Sequence, residues 1–441
     1  MSIHHVDLLM PAIFFACIIN KDLKGKLHIP KVGLTLFLVF FFSQFFTGHG
    51  ADDRLWIRSW FSIFAHLRMI LFFVMLGELL KVDHLRKTFF NVVIFLIIFT
   101  GVNCIKLRYL YGVRMPVGGY FITYNQQGYI ISSVSGVFFG LLLNQAYIKM
   151  SRNLLYGVMS MAGVAAILSQ NRGAQMNLFA TVFGVLSFDL LLKLNLGKIK
   201  IIFVLFIFGL AGMIKSYDTL YKRYFGESRN PAGTRVRKNF YVRGYENFRQ
   251  HKYTGLGTNL YTARVFDNDA AREAVLENTF FEREGDTSPY AMLAHENRVY
   301  EMTRTMFDDT GQFTNTGVIE SYWFLCLVEY GLVAFIPLMA LWLYFYYQTF
   351  RNAFYFRKRN IYYYALSTGM FGTMTGCIVH NFTEWCARQS QAMYFVAAYF
   401  AIISLCSYVR KKGTYSEKMD QSDFFGRFVK KANESVIAEP T

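Results

Sequence analysis

Charge is what this sequence has least of. Only 17% of its 441 residues are charged, against about 25% in a soluble domain, while 54% are hydrophobic and 18% aromatic. That deficit excludes an ordinary soluble domain. Cysteine is sparse as well: Cys17, Cys104, Cys326, Cys377 and Cys406 sit in apolar runs, Cys386 lies beside one, and the long polar stretch 217–320 has none. Neither a disulfide framework nor a zinc-ligand spacing can be assembled from that set. No repeat of solenoid length and no low-complexity tract occurs. Gly255-Leu256-Gly257 lacks the flanking strand, the third glycine and the Lys-Ser/Thr pair of a phosphate loop, so it reads as a turn and implies no nucleotide.

What is present is a series of apolar runs near the ~20 residues a helix needs to cross a bilayer, where backbone satisfaction makes helices the natural structure. Their positions predict spans at 5–20, 33–47, 56–80, 89–105, 128–148, 154–170, 174–195, 199–216, 321–347, 362–383 and 390–409. The expected fold is an all-α polytopic membrane protein with about eleven transmembrane helices. It divides into N-terminal helices over 1–216, a large structured loop over 217–320, C-terminal helices over 321–409 and a polar tail over 410–441. The apolar start at Val6 has no basic residue ahead of it and no small-residue cleavage site behind it, unlike a cleaved leader.

The net charge of +17 would suggest nucleic acid in a soluble chain, but its distribution points elsewhere. Lys21, Lys24, Lys26 and Lys31 share one loop; Lys81, Arg86 and Lys87 another; then come Lys149 and Arg152, then Lys193, Lys198 and Lys200, then Arg351, Arg357, Lys358 and Arg359, and finally Arg410, Lys411 and Lys412. These are alternate loops, and the positive-inside rule assigns them to the cytoplasm. The tail is then expected inside, and the N-terminus, Arg172 and the 217–320 loop outside. No nucleic-acid partner is expected.

About a hundred residues without a span are far more than a connection requires, and long structured loops are usually functional. This one carries a local concentration of Arg235, Arg237, Arg243 and Arg249. On a helix over 234–250, Arg235, Tyr241, Tyr245 and Arg249 fall near one face and Arg243 elsewhere. Such a helix is either an amphipathic element on the membrane surface or an anion clamp, since arginine offers phosphate a planar fork of donors. The acidic pairs Asp52-Asp53 and Asp267/Asp269 read as solvated turn residues, so no metal is expected.

Several charges sit at or within predicted spans. Arg172 stands between two apolar runs with almost no loop, either snorkelling to headgroups or holding an anion. His66 and Arg68 lie near the middle of the third span, where an ionisable side chain costs ~2.5–3.5 kcal/mol and normally faces a cavity or a partner. His380, Glu384 and Arg388 recur at i, i+4 and i+8 where the tenth span ends. They form either an interfacial ion-pair stack or part of the same cavity as Arg172. All five are cavity-lining candidates.

Taken in order, GGYFITYNQQG before a span, SQNRGA, TRVRKNFYVRGYENFRQHKYTGLG and ESYWFLCLVEYGLVAF resemble the motif series of the O-antigen ligases and O-antigen or capsule polymerases, bacterial membrane glycosyltransferases. The resemblance implies a GT-C-like helical fold in the inner membrane with an active site facing the periplasm. It implies undecaprenyl-diphosphate-linked oligosaccharides as donor and acceptor, no cofactor, and a chain-length regulator and a flippase as further partners beside the membrane lipids. Arg172 and loop arginines, Arg235 or Arg243 foremost and Arg249 with them, become the diphosphate ligands, and Glu329 and Gly331 match a packing motif. The chain departs from the ligases at Glu320 and Ser321, where those carry His-Asn, and the departure favours a polymerase. Glu320 then becomes the proton acceptor, with a helix-dipole partner as its structural alternative. A ligase acting on lipid A core and a lipid-linked oligosaccharide flippase are the competing functions.

Overall fold

The computed structural model describes residues 31–48, 53–112, 124–144, 151–169, 171–193, 241–258 except 243, 306–307, 313–314, 319, 321–384, 387 and 390–413. In chain order the elements are α1 (Lys31–Ser43) with a 3₁₀ turn (Gln44–Phe46), α2 (Asp53–Leu79), α3 (Asp83–Ile105) with a π turn (Lys106–Leu110), α4 (Tyr124–Leu143), α5 (Arg152–Leu168), α6 (Arg172–Leu192), β1 (Met306–Phe307), β2 (Phe313–Thr314), α7 (Tyr322–Phe356), α8 (Ile361–Thr383) and α9 (Ser390–Lys412). Among the described residues the fold is all-α, that of a membrane protein, apart from one small antiparallel ladder, Met306 opposite Thr314 and Phe307 opposite Phe313. Six helical stretches are long and apolar enough to span a bilayer: Ser62–Leu79, Asp83–Leu110, Asn125–Leu143, Gly173–Leu192, Tyr322–Phe356 and Ala392–Lys412. Lys31–Phe46 and Arg152–Leu168 are apolar but shorter. The expected spans 5–20 and 199–216 lie outside the described residues.

Two compact units divide the chain: one takes Met1–Phe37, Leu67–Phe203 and Met339–Thr441, the other Leu38–His66 and Val204–Leu338. In the first unit α8 packs against α4, α6 and α9, and α4 also meets α5. Although α8 has 23 residues, it falls short of the apolarity of a lipid-facing span. The reason is its surroundings. Ser367, Thr368, Thr373, His380 and Asn381 are all buried, so protein rather than lipid receives its polar side chains. Small residues bring the neighbours close. A Cβ on Gly136 of α4 would come 2.6 Å from Thr373 Oγ1, and one on Gly140 would come 2.5 Å from the Ala365 carbonyl. On the other side Gly372 meets Val185 and Thr181, and Gly376 meets Thr181 and Asn177. Backbones in contact along small-residue rows are how helices associate where lipid removes the hydrophobic drive.

Hydrogen bonds cross the same contacts. Asn177 Nδ2 donates to Ser133 Oγ at 2.8 Å and to the Tyr129 carbonyl at 3.2 Å, and Thr373 Oγ1 donates to the Ser133 carbonyl at 2.8 Å. The polar run Asn125-Gln126-Gln127 opens α4 and is likewise turned inward: Gln127 Nε2 reaches Cys104 Sγ of α3 at 3.2 Å and the Ala165 carbonyl of α5 at 3.4 Å. Near the far end of α6, Tyr364 Oη donates to the fully buried Asp189 at 2.7 Å, and the Lys193 ammonium sits 3.7 Å from the centre of the Tyr364 ring.

Candidate functional site

The first candidate lies in the unit that contains α6. That helix starts at Arg172 because Asn171, extended at φ −83° and ψ 119°, caps it: Asn171 Oδ1 accepts the Ala174 N–H at 3.1 Å. The cap is itself fixed, since Asn171 Nδ2 donates to Asn125 Oδ1 of α4 at 2.6 Å. The Asn171 carbonyl takes the Gln175 N–H, which leaves the amides of Arg172 and Gly173 as those a helix start offers to an outside acceptor. The positive end of a 21-residue helix and a guanidinium-bearing residue therefore coincide. Arg172 is described in its backbone alone.

Two residues from the end of α8 converge here. A Cβ on Gly173 would stand 2.7 Å from Glu384 Cγ and 3.1 Å from His380 Cε1, so both side chains rest on the second residue of α6. His380 is fully buried, with its ring edge-on to Tyr129 at 4.9 Å between centroids. Among the described residues neither of its ring nitrogens has a hydrogen-bond partner of standard geometry; the backbone of Gly173 is the polar group beside them. The helix does not run on through the expected His380, Glu384 and Arg388 register. Helix α8 ends at Thr383, and Glu384 turns extended at φ −146° and ψ 153° while its N–H bonds the His380 carbonyl at 2.8 Å. The turn redirects Glu384 onto Gly173. Arg388 lies outside the described residues.

The second candidate lies in the other unit and joins two motifs that sequence spacing keeps apart. Within α7, Gly331 breaks the helix at φ 58° and ψ −173°. The backbone groups freed by that break bond to the stretch containing Gly255 and Gly257. Leu256 N–H donates to the Val328 carbonyl at 3.0 Å and Gly257 N–H to the Glu329 carbonyl at 2.9 Å, while Leu332 and Val333 donate to the Lys252 and Tyr253 carbonyls at 3.0 and 3.1 Å. Four backbone bonds thus close the gap, as a broken helix at membrane depth requires. The turn expected at Gly255-Leu256-Gly257 is a docking strip, held on its far side by Gly48 N–H to the Thr254 carbonyl at 3.1 Å.

Residues 241–242 and 244–250 are helical, with Tyr241 against Phe324 at 5.4 Å and Arg249 exposed. Arg235 and Arg243 lie outside the described residues, as do Asp52, Asp267 and Asp269. Glu320 does too, but its neighbours are informative. Ser321 is the residue that caps α7, its Oγ accepting the Phe324 N–H at 3.4 Å and its carbonyl the Leu325 N–H at 2.9 Å. Glu320 therefore precedes the cap. His66 is buried and packed edge-on to Phe40, with Nδ1 3.2 Å from the Ser62 carbonyl and Nε2 3.5 Å from Tyr330 Oη. Arg68 is half-buried and belongs to the unit of Arg172 rather than to that of His66.

Sequence reading missed the cap pair Asn125 and Asn171 and the junction between Gly255 and Gly331. The polar Asn-Gln-Gln run and the two Gly-containing motifs were the available signals, but pairing them requires tertiary contact. No protein-family model matches the chain, and no curated protein is significantly similar to it.

Proposed function

We propose that the protein is a membrane glycosyltransferase that joins undecaprenyl-diphosphate-linked oligosaccharide repeat units into an O-antigen or capsule-type polysaccharide at the periplasmic face of the bacterial inner membrane. The observation that carries this reading is the seat of Arg172 at the positive end of α6, buttressed by a fixed cap and by side chains from α8. Fixed donors aimed at a diphosphate are what this chemistry requires, because the leaving group is already activated. The acceptor hydroxyl oxygen attacks the anomeric carbon with inversion, and the bond from that carbon to the diphosphate oxygen breaks with its electron pair leaving on the lipid diphosphate. Arg172, with Arg235, Arg243 and Arg249 of the loop, neutralises the charge that develops there. Glu320 takes the proton of the attacking hydroxyl. The departure from the ligases' His-Asn at Glu320-Ser321 supports a polymerase over a ligase.

The test is purified protein in lipid nanodiscs with a lipid-diphosphate-linked repeat unit as sole substrate, products resolved by size. A ladder of products is the expected result. A single transfer that needs lipid A core would replace the polymerase with a ligase, and translocation in vesicles without any transfer would replace the enzyme with a flippase.

A further inference from the structure

We infer that His380 and Glu384, set against the first turn of α6, form a subsite for the hydroxyl groups of the sugar attached to the donor diphosphate; the inference rests on the donor reading proposed above. A fully buried imidazole whose two nitrogens make no hydrogen bond of standard geometry among the described residues, with only the Gly173 backbone beside them, is an incomplete arrangement, since buried polar groups are as a rule hydrogen-bonded. The ring is aimed: Cε1, the carbon between the two nitrogens, is the atom that approaches Gly173, so both nitrogens flank the start of the helix.

The donor set decides the ligand. An uncharged imidazole offers one donor and one acceptor, a carboxylate offers acceptors only, and the opening amides of a helix offer donors. A second anion is poorly suited to a place whose wall is the Glu384 carboxylate. A polyol suits it, because each hydroxyl both donates and accepts. Connectivity agrees as well. Arg172 and Gly173 are consecutive, ~3.8 Å apart between Cα atoms, and a glycosyl diphosphate carries its sugar ring directly on the phosphate. A diphosphate at Arg172 therefore brings the first sugar to Gly173, His380 and Glu384. Glu384 is half-buried and is the member through which a hydroxyl enters.

Sites built to hydrogen-bond a hydroxyl discriminate strongly against ligands that lack it. The experiment measures binding of undecaprenyl diphosphate and of its N-acetylglucosamine-, glucose- and galactose-bearing forms to the full chain in nanodiscs, wild type against His380→Phe and Glu384→Gln. The wild type is expected to prefer at least one glycosylated lipid over the bare diphosphate by ~10-fold or more. Each variant is expected to erase that preference while keeping its affinity for the bare lipid. Glu384→Gln is isosteric and half-exposed, so it reads the subsite even where His380→Phe fails to fold. A preference retained in folded variants, or equal loss of bare-lipid binding, overturns the subsite. A wild type that binds bare and glycosylated lipids equally well also overturns it. A wild type that binds none of the four lipids removes the donor reading itself, and the subsite with it.

Discussion

Arg172 has the chemistry of its side chain and the position of its backbone working in one direction, and that makes it the most informative single residue. An alanine there keeps the helix start, because Asn171 rather than Arg172 supplies the cap. Arg172→Ala is therefore expected to insert and fold normally while losing most polymerisation, and Arg172→Lys to rescue it only in part, because the forked geometry is gone. Size-exclusion behaviour in detergent and product ladders check the two halves; full activity in the alanine variant would end its role as a diphosphate ligand. Glu320 separates from the helix-end alternative in a similar way. As a helix-dipole partner ahead of the Ser321 cap, a carboxylate at 320 would contribute about 0.3–1 kcal/mol. Glu320→Gln is expected to lower turnover at least ~10²-fold with donor binding kept, as loss of a general base should. Near-normal turnover would leave the arginines to carry the reaction alone.

Helix α7 shows what an element adds to its residues. In the sequence the Gly-x-Gly motif reads as a turn and the Glu-x-Gly motif lies within an apolar span, yet Gly331 and Gly255 face each other across the break with no room for a Cβ on either: at Gly331 it would strike the Gly255 amide and the Tyr253 carbonyl. Gly331 also needs a positive φ that other residues resist. Gly331→Ala is therefore expected to undo the four backbone bonds of the junction. The readouts are a lower melting temperature in detergent and faster proteolysis of the 217–320 segment; an unchanged melting temperature and cleavage rate would contradict it. The elements themselves were legible in the sequence: nine expected spans fall on described helices, because long apolar runs have one structure available to them in a membrane, although α3 begins earlier than expected, at Asp83, and α7 runs on to Phe356. The break in α7 was not legible, since its cost is offset by residues some seventy positions earlier in the chain. Nor was the central place of α8, where buried serines, threonines and glycines lower the apolar signal that marks a span. The site was legible as far as Arg172, His380 and Glu384 individually. Their meeting at Gly173 depends on the extended turn at Glu384 after α8 ends at Thr383, which helical spacing does not show.

For the whole chain, the helix ends and the basic residues together demand a crossing that the described helices do not contain. Lys193 follows α6, while Arg357, Lys358 and Arg359 follow α7, so under the orientation proposed from the positive-inside rule the C-terminal ends of both helices would be cytoplasmic. Two successive helices of the same direction require one passage between them in the opposite direction. The apolar run 199–216 is the stretch in the 194–321 interval long enough for it, with Lys198 and Lys200 at its cytoplasmic start. Under the same proposed orientation α8 would be a crossing despite its polarity, because Arg359 precedes it and Arg410 through Lys412 end α9. Reporter fusions test this directly. A green fluorescent protein joined after Lys200 is expected to fluoresce and one joined after Tyr224 to stay dark, while alkaline phosphatase at the same two points is expected to give the reverse pattern. Phosphatase activity at both points, or at neither, would show that 199–216 does not cross. Activity at neither point would return the 217–320 segment, with Arg235, Arg243 and Arg249, to the side of the membrane away from any periplasmic donor, and the proposed reaction would lose three of its four cationic groups.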